Sequence, residues 1–290
     1  MSIPELRTSR TALATLVALL AFAANSILTR LALGAHEMGA ATFTTVRIAA
    51  GALTLAAIVR LQSGDWKALR GGARDLTAPL ALFAYAALFS FAYVRIGAAV
   101  GALLLFGAVQ LTMFTWGILT GERPRLRVWL ALAVAAGGLA WLMLPSVKRP
   151  DPTGSVLMIL AGCAWGVYSL VGRKAEQALA SNARSFVWAV PLALLLNVAV
   201  LPSATISGRG LLLAVISGGV TSGVGYAIWY RALRGLTATQ AAVVQLSVPV
   251  IAALGAVAIL HEALTSRLAV SALAVLGGLG LAISERASRR

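Results

Sequence analysis

Two amides, Gln110 and Gln245, lie deep within apolar segments of the sequence, and an amide side chain can hydrogen-bond a ligand. Pro249 follows Gln245 by four residues, and because proline has no backbone N–H, the carbonyl of Gln245 loses its helical partner. That carbonyl and the amide beside it could bind the ammonium or hydroxyl group of a small molecule. The alternative is an inter-helix hydrogen bond with a structural kink, and Asn25 allows the same two interpretations.

Five aromatic residues are also predicted to lie well inside apolar segments. Tyr85 and Phe89 are spaced i, i+4, so they share one helix face. Trp165 and Tyr168 are spaced i, i+3 and also share a face, while Tyr226 closely follows Gly223 and Gly225, which thin its helix. A cavity walled by these rings suits planar, amphipathic molecules, because rings stack while hydroxyl and indole N–H groups hydrogen-bond. For each residue, aromatic packing without a ligand is the alternative.

Three charged residues near or within the apolar segments could act as gates or as structural groups. Glu122 and Glu262 could form alternating salt bridges with arginines as each side of a cavity closes. We favour the alternative that each caps a helix at the turn into the next one, since acids are favoured near helix N-termini. Arg47 could neutralise a carboxylate, but such arginines more often snorkel or cap helix ends, and we favour the structural role.

The sequence lacks the residue sets that catalysis or energy coupling requires. Its nine acids and both histidines, His36 and His261, lie away from the centres of the apolar segments, whereas proton-coupled carriers usually bury such a group. We find no phosphate-binding loop and no nucleophile with its base, so we expect no enzyme activity and no cofactor. Cys163 is the only cysteine, which leaves no disulfide and no metal-ligand spacing.

The whole chain of 290 residues is 60% hydrophobic and only 11% charged, whereas an average soluble domain is about 25% charged. The apolar residues occur in runs of roughly 20, enough to cross a ~30 Å hydrocarbon core as helices. The sequence therefore predicts an all-α membrane protein. Ten spans are predicted, at 11–33, 38–59, 76–94, 98–119, 126–144, 154–172, 185–201, 210–230, 238–259 and 266–284.

The distribution of lysine and arginine predicts the orientation of these spans. With the N-terminus inside, 17 of the 24 basic residues lie in cytoplasmic segments, 6 lie on the opposite side and Arg47 lies within a span. Both termini are therefore predicted to be cytoplasmic. The same rule explains the net charge of +15 without nucleic acid, for which there is no recognition motif. The first residues, up to "AFA" at 21–23, also resemble a cleavable signal peptide, but their length favours a retained helix.

The two halves of the chain carry matching residues in matching places. The segments 121–139 and 261–279 both contain Glu, Arg and Gly-Gly-Leu in one register. Five predicted spans separate the two copies, and an odd number makes the second copy enter the membrane from the opposite side. The sequence therefore predicts two inverted five-helix repeats, 1–145 and 146–290, which could open a central cavity to each side in turn.

This layout resembles the ten-helix drug/metabolite transporter superfamily with paired EamA-like domains. The residues that carry the resemblance are Glu122 and Glu262, the Gly-Gly pairs 137–138 and 277–278, Pro249, Arg47 and Trp165-Gly166. The first half departs from the pattern in two places, with Asn25 where a Trp-Gly would stand and Val109 opposite Pro249, so the halves are not identical.

Among the members of the superfamily, the aromatic residues look most like those of YddG-type exporters of aromatic amino acids. The resemblance implies export of small amphipathic metabolites across a bacterial inner membrane. The lack of acids and histidines at the centres of the spans indicates facilitative flux or, as the alternative, a proton site built differently. Multidrug, other metabolite or nucleotide-sugar carriers of the same superfamily are alternatives, and an intramembrane enzyme is a remote one. We expect a monomer or a weak homodimer. The residues expected to bind substrate are Asn25, Tyr85, Phe89, Gln110, Trp165, Tyr168, Tyr226 and Gln245.

Overall fold

The computed structural model describes residues 3–34, 36–63, 76–96, 98–122, 126–143, 151–200 and 206–260, with a few isolated positions between 266 and 277. Within these residues every element is helical, apart from one isolated antiparallel bridge between Met38 and Ile206. The helices are α1 (Ile3–Thr29), α2 (Ala40–Ser63), α3 (Thr77–Arg95), α4 (Ala98–Leu119), α5 (Leu126–Met143), α6 (Pro152–Arg173), α7 (Ala178–Val200), α8 (Gly208–Ile216), α9 (Gly225–Leu233), α10 (Ala238–Gln245) and α11 (Ser247–Leu260). Two π-helical segments continue them: Arg30–Gly34 extends α1, and Ser217–Val224 joins α8 to α9.

Six of the described stretches are long and apolar enough to cross a membrane, namely Ser9–Leu33, Ala40–Ser63, Thr77–Arg95, Pro152–Arg173, Ala178–Val200 and Gly208–Leu233. Leu104–Leu119, Trp129–Gly138 and Ala238–Ala252 are shorter apolar helices. Large apolar side chains such as Leu53 and Leu111, which are 73% and 72% exposed, point away from the bundle. Helices that are apolar on their outer as well as their inner faces are typical of a membrane bundle, so the chain is a multi-pass helical membrane protein.

The predicted spans from 11–33 to 238–259 each coincide with a described helix or pair of helices. Two helices begin well before their predicted starts: α1 begins at Ile3 and not at 11, and α7 begins at Ala178 and not at 185. Arg184, counted as a loop charge for the orientation, therefore lies half-buried inside a helix. Hydropathy marks only the apolar part of a helix, and α7 extends about two turns beyond it. The predicted span 266–284 lies largely outside the described residues, and the count of ten spans stays a prediction.

Local hydrogen bonds fix where two of the second-half helices begin. At α6, Pro152 occupies the first turn and the carboxylate of Asp151 accepts a hydrogen bond from the N–H of Gly154 at 2.6 Å. At α10, Thr237 and Gln240 form a reciprocal capping box. Both arrangements satisfy N–H groups that the first turn of a helix leaves without partners.

Small residues let α6 lie directly against α4. A methyl group added to Gly162 would lie 2.5 Å from the carbonyl oxygen of Leu105. A methyl group added to Gly166 would lie 2.8 Å from Cβ of Thr112. This small-xxx-small pair therefore serves packing within the chain, as such pairs commonly do in membrane bundles.

The core of the bundle forms where α1, α3, α6 and α9 meet. α6 packs against α3 and α4, while α1 packs against α9 and α11. α3 also contacts α7, and α2 contacts both α8 and the π-helical segment after it. The contacts of α2 with α7 and of α4 with α10 complete the arrangement.

Candidate functional site

A small cavity lies at the centre of this core, and most of its wall is aromatic. We call it the central cavity, and it is lined by Phe22, Asn25, Ser26, Tyr85, Phe89, Leu105, Phe106, Trp165 and Tyr226. Its volume is about 20 Å³, which is room for a single water molecule. A molecule of amino-acid size therefore requires the surrounding helices to separate.

Four rings from four different helices meet around the cavity. The ring centroid of Trp165 lies 4.9 Å from that of Tyr85 and 4.6 Å from that of Tyr226. Phe22 meets Trp165 edge-on, with centroids 5.1 Å apart and an interplanar angle of 88°. These offset and edge-to-face contacts are the favourable geometries for aromatic pairs, and the same ring faces could hold a planar ligand once the helices part.

The indole of Trp165 is held by the buried amide of Gln245. Its N–H donates to Oε1 of Gln245 at 2.6 Å, and Nε2 of Gln245 donates to the carbonyl of Ala241 at 3.1 Å. α10 ends at Gln245 and α11 begins at Ser247, so the predicted helix is interrupted three residues before Pro249. Gln245 therefore orients a ring of the cavity wall and is not itself part of the lining.

Gln110, which lies on α4, forms a second polar contact with α10. Its Nε2 donates to the carbonyl of Ala242 at 2.6 Å. This is an inter-helix hydrogen bond, one of the two roles that the sequence allowed for this amide. Its Oε1 is buried and accepts no hydrogen bond within the described part of the chain. A buried acceptor without a donor is costly, so this oxygen is available to a ligand or water.

Tyr168 lies behind the cavity wall. Its hydroxyl donates to Oδ1 of Asn182, and its backbone carbonyl accepts from the hydroxyl of Tyr230 at 3.1 Å. Nδ2 of Asn182 donates in turn to the carbonyl of Gly223 at 3.1 Å. Tyr168 therefore links α6, α7 and the π-helical segment, and its ring stacks on Trp165 with centroids 5.6 Å apart.

Asn25 lines the central cavity and also anchors the π-helical segment. Its Oδ1 accepts hydrogen bonds from the hydroxyls of Ser217 and Thr221, at 2.7 and 3.1 Å. Hydroxyls four residues apart point the same way in this widened helix. A third hydroxyl of the segment, that of Ser222, faces α2 and contacts Arg47.

Arg47 lies in the core beside the cavity and is only 2% exposed. Its Nε donates to Oγ of Ser222 at 2.9 Å, and its Nη2 donates to the hydroxyls of Tyr226 at 2.6 Å and Tyr85 at 3.4 Å. The guanidinium carbon also lies 5.4 Å from the ring centroid of Tyr85 and 5.7 Å from that of Phe89. Arg47 therefore neither snorkels nor caps a helix end; it is a buried cation among phenol groups.

The remaining donors of Arg47 have no partner among the described residues. Nη1 is buried and forms no hydrogen bond to any described atom. The ion pairs among the described residues join Arg95 to Asp151, Arg173 to Glu122 and Arg209 to Glu37, and none of them includes Arg47.

Glu122 fastens the end of α4 to two helices of the second half. Its carboxylate accepts hydrogen bonds from the N–H groups of Ala238 and Thr239 at 2.8 and 3.1 Å, and from the Thr239 hydroxyl at 2.8 Å. It also pairs with Arg173 at 3.1 Å. The carboxylate therefore caps α10. Residues 123–125, which form the turn into α5 where a cap was expected, lie outside the described residues, so that cap stays a prediction.

Partial burial by itself disfavours the charged carboxylate of Glu122, but the hydrogen bonds to it outweigh that effect. The N–H groups of Ala238 and Thr239, together with the Arg173 guanidinium, hold the pKa of Glu122 below its ordinary value. Glu262, the corresponding residue of the second half, lies outside the described residues.

Sequence reasoning identified five of the residues that line the cavity and missed Phe22, Ser26, Leu105 and Phe106. A signal for Phe22 was present. The spacing of 140 between the Gly-Gly pairs aligns Asn25 with Trp165, but the spacing of 143 that aligns Phe43 with Phe186 aligns Phe22 with Trp165. Leu105 and Phe106 have no such signal, because nothing in an apolar helix distinguishes a cavity-lining residue from a packed one.

Comparison with known proteins places this site in a family. Residues 152–284 match the sequence model of the EamA-like transporter family. The "Uncharacterized protein PA1977" of Pseudomonas aeruginosa is 47% identical over 280 residues, which cover 97% of this chain and 96% of that protein. The "Uncharacterized transporter YwfM" of Bacillus subtilis is 28% identical over 195 residues, 65% of each chain.

A solved crystal structure supports the fold. It superposes with a TM-score of 0.82 over 96% of this chain and 98% of the other, although only 19% of the residues are identical. The likeness at that identity concerns the fold alone. Together with the family match and the full-length relative, these findings show that the chain belongs to the EamA-like transporter family and is a membrane transporter of the drug/metabolite transporter superfamily.

Proposed function

We propose that this transporter exports small amphipathic metabolites, with aromatic amino acids as the leading class, by alternating access around the central cavity. One observation carries the proposal. The cavity lies where helices of the two halves meet, and its wall combines six aromatic rings with a few buried polar groups. Stacking surfaces beside isolated hydrogen-bonding groups match a planar ring that carries polar substituents.

The packing of the helices supports two equivalent repeats, 1–145 and 146–290. α6 contacts α3 and α4, and α1 makes the equivalent contacts with α9 and α11. In the same way, the contact of α3 with α7 is matched by the contact of α2 with α8. α2 and α7 are counterparts in the two halves, as are α4 and α10, and the two helices of each pair are in contact. Such matched contacts are expected of repeats related by a two-fold axis, and rocking of one repeat on the other then produces alternating access.

In this state the cavity is closed around a water-sized space, so substrate must enter through a movement. The Glu122 cluster, which we define as Glu122, Arg173, Ala238 and Thr239, fastens α4, α6 and α10 at the predicted cytoplasmic edge. Release of this cluster would let α4 and α10 part and expose the aromatic wall. We infer that the cluster acts as the cytoplasmic gate.

Transport driven by the substrate's own gradient agrees with the chemistry of the spans. None of the six long spans, from Ser9–Leu33 to Gly208–Leu233, contains an aspartate or glutamate. A carboxylate at depth is the usual proton site of a coupled carrier. We therefore propose a facilitative exporter of the bacterial inner membrane with both termini in the cytoplasm. The use of Gly162 and Gly166 within the chain favours a monomer over a dimer.

Counterflow in proteoliposomes tests the function. Vesicles loaded with unlabelled tryptophan should accumulate labelled tryptophan through the parent protein, and Trp165→Ala should slow the exchange about tenfold or more because a stacking surface is lost. Trp188→Ala is the matched control, since Trp188 is 42% exposed on the outside of α7 and should leave the rate unchanged.

The same vesicles separate the competing functions. Exchange of methyl viologen or of a nucleotide sugar in place of tryptophan would show a multidrug or nucleotide-sugar carrier and contradict the proposal. Accumulation that occurs only under an imposed pH gradient would contradict the facilitative mechanism. Equal rates for Trp165→Ala and the parent would remove the aromatic cavity as the substrate site.

A further inference from the structure

We propose that Arg47 binds a carboxylate of the transported molecule, so that the site selects substrates that carry an anionic group next to a planar ring. The inference rests on the proposed function and deepens it by assigning the polar end of the substrate. The starting observation is electrostatic. Arg47 is a fully charged side chain at 2% exposure, and none of the described acids pairs with it.

A guanidinium in this position lacks the compensation that burial requires. Removing a cation from water costs several kcal/mol, which an anion and a full set of hydrogen bonds must offset. The three neutral hydroxyls around Arg47 supply only part of that compensation. Ionisable residues inside a membrane bundle are rare, and they commonly mark a substrate or ion pathway.

The hydrogen bonds show which atoms are left for a ligand. A guanidinium has five N–H donors. The Nε donor of Arg47 is used by Ser222, and the Nη2 donors are used by Tyr226 and Tyr85. The donors of Nη1 have no partner in the part of the chain that the structure describes. An incoming carboxylate oxygen can accept from Nη1, and the second oxygen can replace the Tyr85 hydroxyl, whose bond to Nη2 is the longest of the set at 3.4 Å.

The guanidinium is also placed where a cavity ligand could reach it. Tyr85, Phe89 and Tyr226 all contact Arg47 and all line the central cavity. The hydroxyl of Tyr226 donates to that of Tyr85 at 3.4 Å, which is a weak contact that separates easily. The two phenols thus stand between the ring-stacking space and the free guanidinium edge. A substrate whose ring stacks on Trp165 and whose carboxylate points past Tyr85 would contact both the ring-stacking space and the guanidinium of Arg47.

The position of Arg47 is fixed by the backbone as well as by its side chain. A methyl group on Gly218 would overlap the carbonyl oxygen of Arg47, so α2 lies in direct contact with the π-helical segment there. That segment supplies Ser222, the partner of Nε. The backbone contact fixes the base of the side chain, and the hydrogen bonds to Ser222 and Tyr226 hold the guanidinium in the core, so an anion would reach it there.

Binding to the purified full-length protein tests the proposal without depending on transport. Three probes share the indole ring: tryptophan carries both charged groups, indole-3-propionate carries only the carboxylate, and tryptamine carries only the ammonium. We expect tryptophan and indole-3-propionate to raise the melting temperature of the parent protein. We expect tryptamine to bind about 10- to 100-fold more weakly, which is the range for a lost charge-assisted hydrogen bond.

Two variants and one control assign the effect to the guanidinium. Arg47→Gln should abolish the preference for the carboxylate probes, and Arg47→Lys should keep part of it because the charge remains while the planar fork is lost. Arg95→Gln removes a guanidinium that is 52% exposed at the end of α3 and should leave the preference intact. If Arg47→Gln does not fold, the comparison of the three probes on the parent and on Arg47→Lys still decides the question.

Each outcome counts for or against the assignment. Equal binding of tryptamine and indole-3-propionate by the parent, or an undiminished preference in Arg47→Gln, would overturn it even if tryptophan exchanges in vesicles. Stabilisation of the parent by chloride alone to the same extent would identify a resident inorganic anion and would also overturn it. Arg47-dependent binding of the carboxylate probes without any tryptophan exchange would support the anion site and refute the proposed transport function.

Discussion

The indole N–H of Trp165 donates to Oε1 of Gln245 across a distance of 2.6 Å, and this hydrogen bond joins α6 to the end of α10. Both partners are buried, and α10 is interrupted directly after Gln245. The bond therefore ties the orientation of a cavity ring to a helix break. A movement of α10 or α11 about that break would move the indole.

We expect this hydrogen bond to appear as a coupling energy in a double-mutant cycle. Trp165→Phe and Gln245→Leu should each lower the free energy of unfolding by about 1 kcal/mol, and the double variant should lose less than the sum, because either change alone breaks the same bond. Trp229→Phe is the matched control, since its indole donates to Ser169 and should combine additively with Gln245→Leu. Chemical denaturation in detergent measures the free energy of unfolding of the parent, of each single variant and of both double variants. Additivity of Trp165→Phe and Gln245→Leu would contradict the coupling.

Removal of the charge on Glu122 should loosen the Glu122 cluster. Glu122→Gln keeps an acceptor oxygen for α10 but loses the ion pair with Arg173 and the favourable charge at the N-terminus of α10. We expect a loss of about 1 kcal/mol of stability and a faster exchange in vesicles, since the closed state is the one destabilised. Glu176→Gln, at an exposed acid between α6 and α7, is the control. An unchanged melting temperature would mean that the cluster does not hold this state.

The stability that Glu122 contributes should depend on pH in one direction. Its pKa is lower in the folded protein than the ordinary value of 4.5, because hydrogen bonds from Ala238 and Thr239 outweigh the effect of burial. That contribution is complete above pH 4.5 and is lost as the pH falls through the lowered folded value. Melting temperatures measured from pH 6 downwards should therefore fall less steeply in Glu122→Gln than in the parent or in Glu176→Gln. Parallel curves for all three proteins would contradict this assignment.

Much of the architecture can be predicted from the sequence because the lipid bilayer restricts which backbone structures can cross it. Every backbone N–H and C=O group inside hydrocarbon must be satisfied within the chain, so an apolar run of sufficient length forms a helix. The same logic singled out Asn25, Tyr85, Phe89, Trp165 and Tyr226, because polar and aromatic side chains inside such a run need partners.

The sequence could not predict which partners those side chains find. Glu122 contacts Ala238, 116 positions further along the chain, and local patterns favour the neighbouring helix α5. Arg47 carries no mark that separates a snorkelling arginine from a buried one, since its depth depends on Tyr85 and Tyr226 closing over it. Which face of a helix is buried depends on how the helices pack together, so the sequence of a single helix cannot predict it.

The contact between Gly218 and the backbone of Arg47 predicts a severe effect of a single methyl group. Gly218→Ala places Cβ against a carbonyl oxygen, and a backbone atom cannot move aside as a flexible side chain can. We expect a loss of about 1–3 kcal/mol in stability, typical of overpacking. Gly107→Ala is the matched control, because a methyl group there meets nothing within 4 Å and helices favour alanine over glycine. Equal stability of the two variants would show that α2 and the π-helical segment are not tightly packed.

The predicted inversion of the two repeats can be tested by labelling two cysteines at equivalent places. Thr120→Cys lies directly after α4, and Glu262→Cys lies two residues beyond Leu260, which corresponds to Thr120 at the 140-residue spacing of the two halves, each in a Cys163→Ser background. Because five predicted spans separate the copies, an impermeant maleimide added to intact cells should label position 262 and spare position 120, and inverted vesicles should reverse the result.

Arg209→Cys provides the reference for the outer face in this experiment, since Arg209 is 64% exposed and is predicted to lie outside. Labelling of positions 120 and 262 from the same face would refute the inverted arrangement. The proposed mechanism would then fail, because two repeats inserted in the same sense are not related by a two-fold axis lying in the membrane plane and cannot exchange inward-facing and outward-facing roles. The central cavity would then have no symmetric way to open to each side, and transport through it would need a separate gate for each compartment.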